Sequence, residues 1–489
     1  MADDPLDELL TFDDALQVLG TSRPTLYRLL SSGDIRGLKV GKQWRFRRAD
    51  LNAYMERSPV ATTSAPAAEL ESEREFFADR IGREIGPANR EDMIVELVND
   101  IIIDAVTRRA SDIHIEAAVI DGAATTLVRF RIDGVLQEVR KMPAGIEDAV
   151  MAQIKSLADM NVGEKRLPQD GRFPVKHDGK SFDLRVSIIP VVSGEAATIR
   201  ILDRSSVLID LDKLGLMPDS LTQINRIIEQ PNGFFVIAGP TGSGKTTTAL
   251  SCLSILAQSE RKVITVEDPV EFLLPYATQL NTNKRIGLTT PAAVRSIMRQ
   301  DPDIILIGAM RDLETLQLAL EASLTGHLVL TTIHASDAPS TISRMLNLGA
   351  TGHVLSSSLT GVVAQRLARR ICSNCRVEIE PKDYVQFDTW RRLADAGGFE
   401  LPSDATLYKG NGCEHCNGRG YRGRIGIFEI IEMTELLATV ITKGGDDDEI
   451  ARAAAESGMR TLWADGLRKA ASGETTVEEL HRVIYSPAM

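Results

Sequence analysis

The chain has 489 residues, a formal net charge of -12, and 43% hydrophobic and 25% charged residues. At about 150 residues a domain, this length predicts three or four domains of ordinary soluble composition. The negative charge argues against a basic coat that binds nucleic acid, and no apolar run approaches the roughly 18 residues of a membrane span. The acidic N-terminus leads into no apolar segment, so we expect no secretory signal and a cytoplasmic chain with at most peripheral membrane contact.

Residues 9–57 predict two helices, a hairpin and a further helix, because short apolar-periodic stretches alternate with turn signals. Between Arg23 and Arg48, eight basic residues stand against one acid, Asp34. Three stretches resemble the excisionase and MerR-type winged helix-turn-helix: Leu10-Thr-Phe-Asp-Asp-Ala15, Ser22-Arg-Pro-Thr-Leu-Tyr27-Arg28 and Val40-Gly-Lys-Gln-Trp44-Arg45-Phe46.

That resemblance implies a recognition helix carrying Arg23, Thr25, Tyr27 and Arg28, and a wing carrying Lys42 and Arg45. Such basic residues can contact DNA phosphates, but a helix-turn-helix can also be reused for protein contacts. Both interpretations stay open, and a docking or regulatory role is favoured over DNA binding.

Composition and periodicity divide the rest of the chain. Residues 58–70 are rich in Pro, Ala, Ser and Thr, which is typical of a flexible tether. Apolar stretches at 234–238, 263–266, 304–307 and 327–333 alternate with helical segments, which predicts a mostly parallel sheet covered on both faces. The predicted division is 1–57 winged helix-turn-helix, 58–89 linker and helix, 90–205 α+β domain, 216–370 α/β core, 371–430 cysteine module and 431–489 helical region.

A glycine-rich stretch follows the first of these apolar strands and precedes a helical segment. Its residues are Gly239, Pro240, Thr241, Gly242, Ser243, Gly244, Lys245, Thr246 and Thr247. The strand, glycines, lysine and threonine together predict a phosphate-binding loop: backbone N–H groups surround phosphate oxygens, Lys245 neutralises their charge and the Thr246 hydroxyl binds Mg²⁺. We therefore expect ATP and magnesium as cofactors.

Further polar residues flank the predicted strands. Glu267 and Asp268 directly follow a strand, where they either reach the nucleotide edge of a parallel sheet or cap the next element. His327 and His334 flank another strand and, seven residues apart, do not share its face, so a core or surface role for one of them stays open.

Four of the five cysteines form two pairs, Cys372-Ser-Asn-Cys375 and Cys413-Glu-His-Cys416. Four thiolates supplied in this way suit tetrahedral Zn²⁺, and the alternative is two reduced pairs without metal. His415 is expected to be exposed rather than a ligand, and Cys252 to be a small core residue.

Six stretches, taken in order, resemble the GspE/PulE/PilB ATPases of type II secretion and type IV pilus assembly. They are Ala110-Ser-Asp-Ile-His114-Ile-Glu116, Arg166-Leu-Pro-Gln-Asp170-Gly-Arg172, the phosphate loop, 266–271, Arg299-Gln-Asp-Pro-Asp303 and Leu324-Thr-Gly-His327-Leu-Val-Leu-Thr-Thr-Ile-His334. The resemblance implies a RecA-like P-loop ATPase core behind an α+β domain, a homo-hexameric ring, and partners in the inner-membrane platform and docking proteins. It implies site roles for Arg172, Arg185, Lys245, Glu267, His327 and His334. For Arg185, which lies on a predicted strand, pairing with a neighbouring carboxylate stays open as the alternative.

One residue departs from this pattern. Where the family carries Gly-Glu before (Ile or Met)-Arg-Asp, the chain has Gly308-Ala309. That Glu is the expected group that orients or activates the attacking water, and a methyl group can neither accept a proton nor hold water. We therefore expect ATP binding to survive and hydrolysis to be impaired. An introduced Glu→Ala change that traps the nucleotide state and a natural loss both account for Ala309.

Overall fold

The computed structural model describes residues 87–379 apart from 121–122, 144 and 204–208, and residues 391–484 apart from 393–394, 396, 401 and 403–404. In the first 50 residues it describes 9–11, 14–15, 18, 35, 37–40 and 43–48. The chain divides into two compact units, residues 1–89 and 90–489.

The first unit contains a small antiparallel sheet in the order β1-β3-β2. Its strands are β1 (Leu9–Leu10), β2 (Gly37–Val40) and β3 (Gln43–Arg47). The β2–β3 hairpin lies where the wing is predicted, and Phe46 is fully buried. The predicted recognition residues 23–28, the wing residue Lys42 and the tether 58–70 lie outside the described residues, so their roles stay predictions.

The second unit contains all but the first three residues of helix α1 (Pro87–Thr107), followed by a six-stranded antiparallel sheet. The strand order is β6-β5-β4-β9-β8-β7, and helix α2 (Glu147–Leu157) connects β6 to β7. The strands are β4 (Asp112–Ile120), β5 (Ala123–Ile132), β6 (Val135–Pro143), β7 (Gln169–His177), β8 (Lys180–Val191) and β9 (Gly194–Asp203).

The two faces of this sheet differ because successive side chains of a strand point to opposite sides. Ile113, Phe130 and Leu184 are buried on one face, in a core shared with Ile101 of α1 and Ile154 of α2. The helices cover that face, so the opposite face is free to carry polar side chains. This is the α+β domain expected from the alternating strands.

A second sheet has seven strands in the order β12-β11-β13-β14-β10-β15-β18. All its neighbours pair in parallel except β15 and β18, which are antiparallel. The strands are β10 (Gly233–Ala238), β11 (Val263–Glu267), β12 (Ala277–Asn281), β13 (Ile304–Ile307), β14 (Leu328–Ile333), β15 (Leu359–Ile371) and β18 (Tyr421–Glu432).

Helices cover both faces of this sheet, as the uninterrupted apolar runs require. Phe235 and Ile237 of β10 belong to one core and Phe234 and Val236 to another, on the opposite side. The helices are α3 (Pro218–Ile228), α4 (Lys245–Leu256), α5 (Thr290–Ile297), α6 (Leu313–Leu324), α7 (Ala338–Asn347) and α8 (Gly352–Ser358). The parallel strands therefore deliver their carboxyl ends to one edge, where ligands of such sheets bind.

Four further described helices follow β18, the first two packed against α7 and α8 and the last two packed beside β15 and β18. They are α9 (Glu435–Thr442), α10 (Asp447–Glu456), α11 (Leu462–Ala471) and α12 (Val477–Val483). Among the described residues, no helix combines the length and the apolarity that crossing a membrane would need.

The cysteine module differs from its predicted bounds of 371–430. Strand β18, whose first ten residues fall within those bounds, is an edge strand of the core sheet, because its residues Ile425 to Ile431 are buried there against β15. The module itself is an insertion between these neighbouring strands, and it contains the hairpin β16 (Arg376–Ile379) and β17 (Leu407–Gly410).

Candidate functional site

The predicted phosphate loop connects the carboxyl end of β10 to the first turn of α4. Gly239 and Gly244 both have positive φ, of 151° and 89°. A Cβ at Gly239 would lie 2.5 Å from Ser243 Oγ and 2.6 Å from the Gln365 carbonyl oxygen, closer than side chains tolerate. Only glycine therefore allows this loop to turn back over the end of β10 and aim the N-terminus of α4 at the same space.

Lys245 is the first residue of α4 and is 9% exposed. Its ammonium donates hydrogen bonds to the carbonyl oxygens of Gly239 at 2.9 Å and Pro240 at 2.8 Å. Burial, aided by the nearby charge of Arg366, lowers the pKa of Lys245 to about 8. Burial removes the water that would stabilise the ammonium charge. The phosphate oxygens of a bound polyanion would stabilise that charge in its place.

Two hydroxyls test whether the loop fits a nucleotide phosphate. Ser243 is 4% exposed, and its Oγ has no hydrogen-bond partner among the described residues. A buried donor without a partner is costly unless a ligand satisfies it. Thr246, half-buried in the first turn of α4, lies one residue beyond the lysine, as a magnesium-binding threonine should. The residues present therefore fit a phosphate and its metal ion.

ATP affinity should depend on pH through Lys245. Because the pKa of Lys245 is about 8, its ammonium is present below pH 8 and is lost as the pH rises through that value. We expect ATP affinity to be constant from pH 7 to 7.5 and to fall between pH 8 and 10, by up to about tenfold per unit. Fluorescent-nucleotide titrations measure this, and Lys245→Met should bind weakly with no such slope. A wild-type slope equal to that of Lys245→Met would contradict the assignment.

Three predicted residues lie at the same edge of the sheet. Glu267 ends β11, Ala309 follows β13 by two residues, and His334 follows β14 directly. Backbone hydrogen bonds fix the turn around Ala309: Gly308 N donates to Val266 O at 2.8 Å, and Met310 N donates to Thr332 O at 2.9 Å.

His334 lies beside the phosphate loop. The carbonyl of the preceding residue, Ile333, accepts the Gly239 N–H at 3.2 Å. Partial burial lowers the pKa of His334, and the positive charges of Lys245, Arg311 and Arg344 lower this pKa further. The imidazole is therefore neutral near pH 7, and it can donate or accept one hydrogen bond beside the phosphates.

Glu267 is almost completely buried, at 4% exposed. Its Oε1 accepts hydrogen bonds from Thr265 Oγ1 at 2.6 Å and Gln279 Nε2 at 3.0 Å. Three strand spacings separate β11 from β10, or about 14 Å at 4.8 Å each. Within one chain, Glu267 is thus farther from the loop than the position of Ala309 is.

The site role expected of His327 is not supported within one chain. His327 precedes β14 and lies at the amino edge of the sheet, where its carbonyl accepts the N–H of Gly233, the first residue of β10. Its Nδ1 lies 2.8 Å from the Ala322 carbonyl oxygen. The six-residue β10 separates this edge from the phosphate loop by about 20 Å. The seven-residue separation of the two histidines therefore places them at opposite ends of one strand.

The polar face of the first sheet carries a row of arginines. Arg172 of β7 pairs directly with Arg185 of β8, which pairs directly with Arg200 of β9. Burial raises the pKa of Glu271, and the nearby charges of Arg185 and Arg200 oppose that rise. Because Glu271 follows β11 by four residues, Arg185 and Arg200 lie near a loop at the carboxyl edge of the core sheet.

Sequence reasoning missed Arg200 and two residues behind the phosphate loop. Arg200 Nε donates to Asp112 Oδ1 at 3.0 Å, which holds the guanidinium in the row. Gln365 of β15 accepts a hydrogen bond from Thr248 Oγ1 of α4 at 2.6 Å, and Arg366 lowers the pKa of Lys245. Each of β7, β8 and β9 contains a single arginine, and the sequence alone does not show the register that aligns the three.

The four paired cysteines come together in the module. Their Sγ atoms all lie within 4.8 Å of one another, and the Cys372–Cys413, Cys375–Cys416 and Cys413–Cys416 pairs are 3.8 Å apart. A tetrahedron with Zn–S bonds of about 2.3 Å has sulfur atoms about 3.8 Å apart, so the thiols fit zinc. No other such cluster occurs in the part of the chain that the structure describes.

The remaining residues of the cysteine set lie outside this cluster. The Nδ1 of His415 is 2.7 Å from Arg422 Nη1, so the imidazole contacts the guanidinium of Arg422. Cys252 is buried in α4, and burial raises its pKa to about 12, which leaves it an inert core thiol.

A covered, mostly parallel sheet with a phosphate loop at its carboxyl edge defines a RecA-like P-loop nucleotide-binding protein. Residues 88–482 match the family described as "Type II/IV secretion system protein", and residues 9–59 match a helix-turn-helix domain. The chain belongs to the Type II/IV secretion system protein family. This confirms the family expected from the sequence motifs.

Individual relatives agree. The type IV pilus assembly ATPase PilB of Myxococcus xanthus is 43% identical over 392 residues, covering 79% of this chain and 67% of the relative. The type II secretion system protein HxcR of Pseudomonas aeruginosa is 39% identical over 434 residues, covering 88% and 86%. Among solved structures, the ATPase DotB of Legionella pneumophila (TM-score 0.56, 20% identity) covers 78% of this chain and 94% of its own. The pilus retraction motor PilT (TM-score 0.52, 24% identity) covers 78% and 95%, and both share the fold.

Proposed function

We propose that this chain is the ATP-binding motor subunit of a type II secretion or type IV pilus assembly machine. The observation that carries the proposal is the phosphate loop with His334 beside it at the carboxyl edge of the core sheet, near a loop residue, Glu271, that lies close to Arg185 and Arg200. Lys245 and Thr246 would hold the phosphates and magnesium of ATP, and the magnesium ion would neutralise phosphate charge. The family and its named relatives support the machine, since two of them are a pilus assembly ATPase and a secretion protein.

The proposed movement of the two sheets relative to each other depends on the arginines. Arg172 and Arg185 stand on a separate sheet from the phosphate loop, so they can approach or leave the nucleotide only if the two sheets move relative to each other. A guanidinium that binds phosphate oxygens makes closure depend on the nucleotide. In a homo-hexameric ring that hydrolyses ATP, repeated closure would push on an inner-membrane platform, which the chain meets from the cytoplasm through partner proteins.

Hydrolysis by this chain is proposed to be impaired. The turn that should present a carboxylate presents the methyl group of Ala309 instead. Glu267 cannot replace it, because both hydrogen bonds of its Oε1 hold the group in the sheet and β11 lies farther from β10 than β13 does. Lys245, Ser243 and the glycines are all in place, so binding is retained while water activation is lost.

The mass of the assembled protein tests the proposed hexamer. With magnesium and ATP, light scattering or native mass spectrometry should give six times the chain mass, and Arg185→Ala should shift the distribution toward smaller species. Arg131→Ala is the matched control, because Arg131 lies on the same face but three strands from Arg185. A wild-type chain that binds ATP and stays monomeric at micromolar concentration would reject the ring.

Residues 9–57 are proposed to dock protein partners or regulate the motor. The helix-turn-helix match leaves DNA binding as the second candidate. Duplex DNA titrated at low and high salt separates them, because phosphate contacts weaken steeply with salt. Binding at low salt that is lost at high salt would favour DNA over docking.

A further inference from the structure

An open groove lies between four helices, away from the phosphate loop. Its volume is about 700 Å³, which lies within the range of ligand-binding pockets. The carboxyl half of α7, the turn before α8, the end of α9 and the start of α10 form its walls. The lining residues, called here the acidic groove, are Ser343, Leu346, Asn347, Ala350, Gly352, Ile441, Thr442, Gly444, Gly445, Asp446, Asp447 and Asp448.

All charged residues that line the groove are acidic. Asp446 caps α10 by accepting the Glu449 N–H at 2.9 Å. The exposed carboxylates of Asp447 and Asp448 have no hydrogen-bond or ion-pair partner in the described part of the chain. Carboxylates are stabilised at a helix N-terminus, so the fold tolerates three in a row here and leaves two of them available.

A buried hydroxyl in the groove has no partner. Ser343 is 7% exposed, and its Oγ makes no hydrogen bond with the described residues. Helical hydroxyls commonly bond the carbonyl four residues back, as Thr341 Oγ1 of the same helix does to Asp337 O at 2.7 Å. A polar atom buried without a partner is costly, and a bound segment with a donor or acceptor would remove that cost.

The rest of the lining is suited to an apolar side chain. Leu346, Ala350 and Ile441 present hydrocarbon, and Gly444 and Gly445 leave the rim without side chains. A small apolar floor beneath a charged rim is the usual anatomy of a protein contact: the buried side chain gives affinity and the rim charges give selectivity.

We propose that the acidic groove binds a segment of a partner protein that carries an apolar side chain between lysines and arginines, supplied by a cytoplasmic loop of an inner-membrane protein. This rests on the proposed function, which brings the chain against a membrane platform. Cytoplasmic loops of membrane proteins are enriched in Lys and Arg, so an acidic groove is complementary to that surface.

Because the groove lies on α7, a segment bound there could influence the nucleotide site through this helix. Helix α7 begins at Ala338, four residues after His334, and the Ala338 N–H donates to Glu429 Oε1 at 2.7 Å. Arg366, whose charge lowers the pKa of Lys245, also donates to the carbonyl of Ser336. A segment seated against α7 therefore contacts a helix that begins four residues after His334.

The test uses the full chain and a fluorescent peptide in which Lys and Arg alternate with Leu, titrated without nucleotide. Asp447→Asn/Asp448→Asn should weaken binding about fivefold or more, whereas Glu435→Gln/Glu456→Gln, an equal charge change on exposed positions of α9 and α10 outside the groove, should change it less than about twofold. Ser343→Ala should weaken binding with no loss of melting temperature, because the hydroxyl has no partner to lose in the free protein.

Equal losses for the two double variants would mean that only net charge is sensed and would overturn the proposal. It would also be overturned if the peptide binds a monomer but not the assembled ring, since a second copy would then be the occupant. ATP binding is measured on the same samples. Failure of the peptide test with intact ATP binding rejects the groove alone, and absent ATP binding rejects the proposed function.

Discussion

Replacing Ala309 with glutamate is expected to raise steady-state ATP hydrolysis by about two to four orders of magnitude, the usual contribution of a positioned general base. The turn between β13 and α6 is already held by the hydrogen bonds from Gly308 to Val266 and from Met310 to Thr332. Ala309 is only half-buried, so a longer side chain has room to point toward the phosphate edge. The gain should appear in kcat with little change in the affinity for ATP.

Two controls separate chemistry from folding. Ala309→Gln has the same shape as the glutamate variant but cannot take a proton, so its rate should stay near that of the wild type. Adding Lys245→Ala to Ala309→Glu should abolish the gain by removing phosphate binding. If Ala309→Glu bound ATP normally and hydrolysed it no faster than the wild type, the explanation based on the missing carboxylate would be wrong.

Removing one thiolate from the cysteine cluster is expected to release its metal. The wild-type chain should contain about one zinc per subunit by elemental analysis, since four sulfurs at tetrahedral spacing form a closed structural site. Cys416→Ser should lower this below about half an equivalent and reduce the melting temperature, because binding a structural metal is itself folding free energy. Cys416 is fully buried, so the variant also loses packing.

The matched control is Cys252→Ser, which makes the same chemical change in α4 at an equally buried thiol outside the cluster. It should retain its zinc even if its core is weakened. A wild-type chain with less than half an equivalent of zinc would instead favour two reduced pairs without metal.

The phosphate loop was predictable because every determinant lies within a few consecutive residues. Strand, glycines, Lys245 and Thr246 follow one another along the chain, and local sequence decides their geometry. The parallel sheet followed equally well from apolar runs that only a doubly covered strand can bury. The same reasoning does not tell which end of β14 faces the nucleotide, and the site role of His327 rests on the family resemblance alone.

The features that the sequence does not predict depend on pairings between segments that lie far apart in the chain. Arg200 joins Arg172 and Arg185 only because β7, β8 and β9 align in one register, and Gln365 reaches Thr248 across more than a hundred residues. The groove beside α7 and α10 has the same origin, since its walls come from two regions about a hundred residues apart. Local propensity carries no information on such contacts.

The cysteine module is inserted between two neighbouring strands of the core sheet, which affects how the protein can evolve. Strands β15 and β18 are antiparallel neighbours, and Ile371 pairs with Tyr421 at the end where the module leaves the sheet. Antiparallel neighbours can be joined by as few as two residues. Residues 372–420 are thus an insertion in what could be a tight hairpin, and evolution could add, remove or exchange this insertion without changing the strand order of the core sheet. The four thiols would then be gained or lost together with the insert.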